Sequence, residues 1–162
     1  MASDYLLEID GIKGESQDSK HKETIEIDSF SWGVTHPGSF AHNTGGSTGR
    51  SSFHDINLTT KVNKASPNVM LAAATGKHIN KATLYVRKAT GTGGQQEYYR
   101  IEFEDVLISS YQSGGHSGDD SIPIDQFSLN FAKIQYVYKP QDAKGTLGAD
   151  ITAKYDLAAQ KT

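Results

Sequence analysis

The chain of 162 residues contains no cysteine. The fold therefore uses no disulfide bond, no thiolate ligand for a metal and no cysteine nucleophile, and it is indifferent to the redox state of its compartment. No stretch approaches the roughly 20 consecutive apolar residues of a membrane-spanning helix. The N-terminus, MASDYLLEIDG, lacks the basic start and long apolar core of a signal peptide, so we expect no export by the general secretory route.

A surplus of basic residues is also missing, because 16 Lys and Arg stand against 19 Asp and Glu, a net charge of −3. The short basic cluster from Lys20 to Lys22 is interrupted at once by Glu23. Binding to nucleic acid depends largely on the counterions that Lys and Arg release from phosphates, so this composition disfavours it. We therefore expect neither a nucleic-acid partner nor insertion into a membrane.

Short segments of alternating apolar residues dominate what the chain does contain, together with 16 glycines. Such alternation predicts half-buried strands, because side chains point to opposite faces of a strand in turn. One helix is predicted, with Ser66 as its N-cap, Pro67 at the first helical position and Gly76 as its stop. The predicted strands are residues 5–10, 24–34, 50–62, 83–90, 95–111 and 127–138, with a candidate last strand at 151–159 after a polar linker.

These elements predict a mainly β fold, a β-barrel of two packed sheets with one short helix at its side and a long extended loop. We expect one domain over residues 1–162, with its core between about 4 and 140 and a linker with a last strand after it. Two strands change their apolar face midway, at residues 28–29 and near 104–105, and a β-bulge is the simplest explanation for each. The predicted core residues are Trp32, Phe30, Phe103, Phe127, Leu129 and Phe131.

The stretch 37–50 is rich in small residues and longer than an ordinary connection within a domain. Within it, residues 45–49 read GGSTG and fit the G-x-S-x-G pattern around the nucleophilic serine of α/β-hydrolases. That motif requires a sharp turn from a strand into a helix, whereas a strand is predicted soon after Ser47. We therefore expect a loop here and no catalytic residue.

Spacing gives no support to a metal site either. The six histidines form no pair at i,i+4 of a helix or i,i+2 of a strand, and only His36 and His42 share a loop. Asp119, Asp120 and Asp125 lie on or beside a glycine-rich turn, but they lack the ligand spacing of a calcium-binding loop. We expect no metal and no cofactor.

Seven short motifs nevertheless follow one another in a specific order between about residue 5 and residue 141. On these motifs the chain resembles the haemolysin co-regulated protein (Hcp) family. The motifs are Lys13-Gly14-Glu15-Ser16, Ser31-Trp32-Gly33, Ser66-Pro67-Asn68-Val69-Met70, Thr75-Gly76-Lys77-His78, Val86-Arg87-Lys88-Ala89, Ser113-Gly114-Gly115 and Leu129-Asn130-Phe131-Ala132.

The resemblance implies a tube protein of the type VI secretion system of Gram-negative bacteria. Members of the family form homo-hexameric rings that stack like a phage tail tube. The tube lies inside a contractile sheath, carries a spike of the VgrG type and is expelled into a target cell, and some rings hold small effector proteins. The resemblance thus implies a protein that is cytoplasmic when assembled and secreted on firing.

Some members also carry a toxin domain after the barrel. This chain ends about 20 residues beyond Pro140, which predicts a structural tube subunit.

On this interpretation, Ser29 and Ser31 are candidates for the lumen, where small polar groups would let cargo pass or bind. Two alternatives stay open, a monomeric ligand-binding β-barrel and, less favoured, a serine hydrolase that uses Ser47. The long loop is the candidate for contact with a neighbouring subunit or ring, through Pro37, Gly38, Ser39, Phe40, Asn43, Gly45, Gly46, Ser47, Gly49 and Arg50.

Overall fold

A computed structural model of the chain describes residues 3–38, 50–90, 94–118 and 120–162. All of its named strands belong to one sheet, in the order β2-β1-β5-β6-β7-β4-β3, with β8 paired to β7. The predicted mainly β fold with one short helix is confirmed. The elements are β1 (Ser3–Ile9), β2 (Ile25–Ile27), β3 (Ser29–Thr35), β4 (Ser52–Lys61), α1 (Ser66–Thr75), β5 (His78–Thr90), β6 (Gly94–Gly114), β7 (Ile124–Tyr138) and β8 (Ile151–Asp156).

The sheet curls because the strands at its two ends are consecutive pieces of the chain. β2 pairs with β1, whereas β3 follows directly after Asp28 and pairs with β4. The Asp28 N–H donates to the Thr59 carbonyl at 2.8 Å, and Thr60 Oγ1 donates to the Glu26 carbonyl at 2.6 Å. These bonds hold the two ends of the strand order together, so the predicted barrel is a single curled sheet.

Three neighbouring strands change their buried face at the same level of the sheet. The change occurs around Asn80 in β5, Asp105 in β6 and Ala132 in β7, and the strand pairing skips all three residues. The register on either side of them is unchanged. Asp105 has a φ of 54°, which lies in the left-handed region that side chains other than glycine rarely adopt. The three strands therefore bend together along one row.

The bulge predicted near residues 104–105 is wrong. The sequence located the change of face, but no residue is inserted there, because the partner strands bend at the same level. Register shifts occur instead after Val86, Ile108 and Ser31. The other predicted bulge, at residues 28–29, coincides with the break between β2 and β3.

The core fills the inside of the curled sheet. Phe103, Phe127, Leu129 and Phe131 are buried in it, whereas Phe30 and Trp32 are half-buried and pack against it. Burying such side chains is the main source of the stability of a fold of this kind.

The helix covers part of this core with Val69 and Ala72. Its predicted N-cap is wrong, because Ala65 is the cap and Ser66 is the first helical residue. The Ser66 hydroxyl is used elsewhere, as a donor to the buried carboxylate of Asp125, which also accepts a 2.9 Å hydrogen bond from the Tyr111 hydroxyl. The predicted stop is confirmed, since Gly76 has a φ of 64°.

Gly14 lies where residues 10–24 fold back on themselves. Its N–H donates to the Glu23 carbonyl at 2.8 Å. A Cβ atom at this position would stand 2.4 Å from the Thr24 carbonyl oxygen and 3.0 Å from Ile25 Cα, both on the backbone. Because neither atom belongs to a flexible side chain, even a methyl group forces the two segments apart.

We expect Gly14→Ala to lower the free energy of unfolding by about 1–3 kcal/mol, as overpacking of a tight contact does. Gly114→Ala is the matched control, because nothing lies within 4 Å of its added Cβ, and we expect a change within about 0.5 kcal/mol. Chemical denaturation of both variants measures the difference. Equal stability of the two variants would contradict the close approach at Gly14.

Candidate functional site

Four strand segments present outward faces that are polar and almost uncharged. We call them the polar layer: β3, β4, residues 124–130 of β7 and residues 106–114 of β6. Their inward positions, such as Ile56, Leu58 and Leu129, are buried in the core. Their outward positions carry Asp55, Lys61 and His54, and the exposed apolar side chains of Leu107 and Ile124. The other outward positions are the hydroxyl and amide side chains of Ser29, Ser31, Asn57, Thr59, Ser109, Ser110, Gln112, Gln126, Ser128 and Asn130.

A series of hydrogen bonds crosses the polar layer from β4 to β6. Asp55 accepts from Ser109 Oγ at 2.6 Å and from Asn130 Nδ2 at 2.8 Å. Ser128 Oγ lies 2.7 Å from Ser109 Oγ and 2.5 Å from Ser110 Oγ. Side chains linked in this way are fixed on their strands, and the carboxylate charge is satisfied by two donors.

Ser29 and Ser31 are both exposed and border a depression of about 570 Å³ that is open to solvent. Asn57, Gln112 and Gln126 line it as well, so its rim offers hydrogen-bond donors and acceptors without charge. The structure thus brings the two predicted lumen residues to one surface.

The outward face of the rest of the sheet is different. On β1, β5 and residues 94–104 of β6, which we call the charged layer, ion pairs prevail. Arg87 is buried, with Nη2 at 3.2 Å from Asp4 and 2.8 Å from Asp18. The Arg87 guanidinium, by its hydrogen bond, holds the pKa of the Asp18 carboxyl below its ordinary value. Arg100 pairs with Glu97 at 3.2 Å on the same face.

The polar layer ends in an unpaired strand edge on each side, as far as the described residues show. β3 forms its ladder only with β4, and residues 108–114 of β6 form theirs only with β7. An unpaired edge presents backbone N–H and C=O groups to any strand that approaches it. Because the order across the layer is β3-β4-β7-β6, the two edges face in opposite directions.

Comparison with known proteins identifies the family. The family model described as "Type VI secretion system effector, Hcp" matches residues 6–138. The chain belongs to the Hcp family. The resemblance predicted from seven motifs is confirmed, and with it a role in type VI secretion.

Individual relatives agree with this assignment. Protein hcp1 of Pseudomonas aeruginosa is 40% identical over 145 residues, which cover 90% of this chain and 88% of that protein. A solved structure of a type six secretion system protein aligns with a TM-score of 0.91 at 28% identity, over 99% of both chains. Hcp1 from Salmonella typhimurium aligns with a TM-score of 0.79 at 33% identity, again over 99% of both chains.

The predicted contact loop of this Hcp chain is only partly described. Pro37, Gly38 and Arg50 are exposed, and Arg50 directly precedes the segment that leads into β4. The other loop residues of that prediction, Ser39, Phe40, Asn43, Gly45, Gly46, Ser47 and Gly49, lie outside the described residues, as do His42 and Asp119.

Within residues 3–38, 50–90, 94–118 and 120–162, no group of three or more His, Asp or Glu side chains is arranged to hold a metal ion. Across the same ranges, the helix is too short to cross a membrane. Asp125, which the sequence places on or beside the glycine-rich turn, is buried and accepts hydrogen bonds from the Ser66 and Tyr111 hydroxyls.

The sequence pattern indicated Ser29 and Ser31, whose place in a lumen stays a prediction, but it did not indicate Asp55, Ser109 or Asn130 of the same surface. A signal for Asp55 was present, because polar residues alternate with buried ones along β4. Its contacts with Ser109 and Asn130 depend on strands that are 54 and 75 residues away in sequence. Their juxtaposition requires the strand order and register, which no local pattern supplies.

An aromatic cluster supports the polar layer from within. Trp32 Nε1 donates to the Tyr99 hydroxyl at 3.4 Å, and the Tyr99 ring meets Tyr136 edge-on with centroids 4.8 Å apart. The ring of Phe30 stacks on that of Tyr99, with centroids 6.2 Å apart. Burial of Tyr99 in this cluster raises the pKa of its hydroxyl well above the ordinary value.

This pKa predicts a loss of stability in alkali. Below about pH 10, the ordinary tyrosine pKa, Tyr99 is protonated in both folded and unfolded chains, so its contribution is complete. Above that pH, the unfolded chain ionises first, and the free energy of unfolding falls. We expect urea denaturation to show this fall, and Tyr99→Phe to make it shallower. An equally steep fall in Tyr99→Phe would contradict the assignment to this residue.

Proposed function

We propose that six copies of this Hcp protein close into a ring, that such rings stack into the inner tube of the secretion system, and that the polar layer lines the lumen. The observation that carries the proposal is the almost uncharged polar layer with an unpaired edge on each side. When the β3 edge of one copy faces residues 108–114 of the next, the contact is heterologous and can repeat until a ring closes.

The chemistry of the two outward faces supports this orientation. A lumen lined by hydroxyls and amides offers hydrogen bonds to a passing effector protein without a strong electrostatic preference for one partner. Ser29 and Ser31 border the depression and are the proposed cargo contacts. The charged layer then faces outwards, towards the contractile sheath. Its ion pairs keep that face polar and well hydrated.

The function of such a subunit is mechanical. Rings assemble in the cytoplasm, hold small effectors, carry a VgrG-type spike and leave the cell when the sheath contracts. No covalent bond is broken in this cycle, so the proposal assigns no catalytic residue and no cofactor. Residues 37–50 remain our candidate for a loop that reaches a neighbouring subunit or ring.

The ring is tested by the mass and shape of the particle in solution. We expect light scattering to give a mass six times the 17.6 kDa of the single chain, and electron microscopy to show annular particles. A chain that stays monomeric at all micromolar concentrations would support the ligand-binding barrel instead and refute the tube.

The orientation is tested in the same particles with two matched variants. Ser31→Trp places an indole on the polar layer, and Lys22→Trp places one on an exposed turn outside it. Both should form rings, because neither side chain is part of the core. In averaged images, only Ser31→Trp should add density inside the lumen. Added density on the outer wall of the Ser31→Trp ring would reverse the orientation proposed here.

A further inference from the structure

The polar layer contains a β-bulge in β4. Ser31 of β3 pairs with Asn57, whereas Gly33 pairs with His54, so β4 has one residue more than β3 between these two pairs. Asp55 lies within that extra length. A bulge bends its strand and re-aims the side chains beside it. Asp55 and the residue before it therefore both belong to the outward face, although they are consecutive in the chain.

A second bulge lies two strands away, in β6. The pairing of β6 with β7 shifts between Ile108 and Ser110, and Ser109 is the additional residue. Because β7 lies between β4 and β6, a regular sheet would keep the two bulged strands about 10 Å apart. Ser109 Oγ nevertheless donates to Asp55 Oδ2 at 2.6 Å. The two bulges thus bring together side chains from strands that are not neighbours.

The hydrogen bonds of the hydroxyl groups around Asp55 all run towards its carboxylate. A carboxylate only accepts, so Ser109 uses its one hydroxyl proton on Asp55 and accepts from Ser128 Oγ at 2.7 Å. For the same reason, Ser128 accepts from Ser110 Oγ at 2.5 Å. The chain of hydroxyls therefore ends at Asp55, and its dipoles point towards the negative charge.

Asp55 has room for one more partner. Its Oδ1 accepts from Asn130 Nδ2 at 2.8 Å and its Oδ2 from Ser109, so each oxygen keeps a second lone pair. None of the ion pairs among the described residues includes Asp55. Lys61 on the same face is six residues further along β4, about 20 Å away, well beyond the screening length of roughly 8 Å in physiological salt. The charge is fixed in place but not neutralised.

The depression of the polar layer begins beside this charge. Asn57 and Ser110 are among the residues that line it. Asn57 Nδ2 donates to the backbone carbonyl of Asp55 at 3.3 Å, so the amide oxygen of Asn57 stays available as an acceptor. Ser110 has given its proton to the hydroxyl chain and likewise offers an oxygen lone pair. A group that enters here meets acceptors and one negative charge.

We propose that Asp55 and the adjoining end of the depression form a binding site for a basic side chain of a partner polypeptide, with the arginine guanidinium as the preferred group. The planar fork of a guanidinium can donate to both carboxylate oxygens at once. Within the described residues, no further carboxylate or imidazole joins Asp55 in a metal-binding group, and hard cations need several oxygen ligands.

The site needs only one copy of the chain, but its place in a lumen rests on the proposed function. The hydroxyls and amides of the polar layer discriminate little between partners of different charge. Asp55 then decides which charge is favoured, and in a ring it is repeated around the lumen. Effector proteins with exposed arginines would be the preferred cargo, because several arginines can bind equivalent sites at the same time.

A labelled peptide of Gly-Ser-Arg repeats, about 18 residues long, tests the site. The same peptide with citrulline in place of every arginine is its uncharged control. In about 20 mM salt, fluorescence anisotropy should show that the native protein binds the arginine peptide at least roughly fivefold more tightly. The preference should fade in about 0.5 M salt, and Asp55→Asn, which keeps the shape of the side chain, should abolish it.

The matched control is Glu8→Gln. It removes the same single negative charge, but from an exposed position on β1 in the charged layer. This variant should prefer the arginine peptide as strongly as the native protein does. Circular dichroism and light scattering verify that both variants fold and assemble like the native chain. If the two variants lose the preference equally, general attraction to an acidic protein explains the binding, and the site is wrong.

A second measurement uses the native protein and does not depend on the folding of Asp55→Asn. Carbodiimide joins a carboxylate to an amine that is held beside it, so a Gly-Ser-Lys peptide of the same length takes the place of the arginine peptide. Mass spectrometry then identifies the coupled residue. Glu8 is exposed and Asp55 only half-exposed, so a higher yield at Asp55 would support the site. Coupling mainly at Glu8 would contradict it.

The outcomes separate this inference from the ring. If the native chain stays monomeric, the tube is refuted, whereas the preference for arginine at Asp55 can still be measured on the single chain and supports the site. If rings form but the arginine and citrulline peptides bind alike at concentrations up to about 1 mM, the site is wrong and the ring stands.

Discussion

The passage of the chain from β2 into β3 through Asp28 constrains everything else in this fold. β2 pairs with β1, and β3 pairs with β4. The short segment from β2 through Asp28 to β3 therefore connects the two ends of a strand order that would otherwise be open. The bonds from Asp28 to Thr59 and from Thr60 to Glu26 hold that position. Without this connection the sheet would flatten and the core would open. Phe30 and Trp32 would then lose the cluster against which they pack.

The curl also creates two different surfaces from one sheet. On either side of the row of Asn80, Asp105 and Ala132, the strands bury opposite faces of their sequence. On one side of the row, the outward positions of residues 81–90 of β5 and 94–104 of β6 carry ion pairs. On the other side, the outward positions of residues 106–114 of β6 and 124–130 of β7 carry mostly hydroxyls and amides. The same bend thus gives each copy a charged layer on one side of the row and a polar layer on the other.

Local patterns predicted the elements well where a strand or helix is decided by its own residues. The alternation around Phe103 and Phe127 located β6 and β7, and Gly76 located the end of α1, because its left-handed φ suits glycine. The start of β5 was missed, since residues 78–82 show no clean alternation and are held in the sheet by pairing with β6. The family could be predicted because seven short motifs occur in a specific order along the chain, and reading that order requires no three-dimensional information.

Features that depend on distant partners escaped prediction. Ser66 looked like a helix cap, but its hydroxyl is bound to Asp125, 59 residues away, and Ala65 takes the cap position. The change of face in β6 was located but explained by a bulge, because nothing in β6 alone reveals that β5 and β7 bend with it. Ser29 and Ser31 of the polar layer were candidates from the sequence. Asp55 was not, because its partners Ser109 and Asn130 come from strands that are distant in sequence.

The central claim is that the two unpaired edges of the polar layer become a contact between copies. Hydrogen exchange measures this most directly, because it reports the protection of individual backbone amides. On assembly, we expect slower exchange along β3 and residues 108–114 of β6, with little change along the outer edge of β8. Protection of β8 with unchanged exchange at both edges of the polar layer would contradict the account.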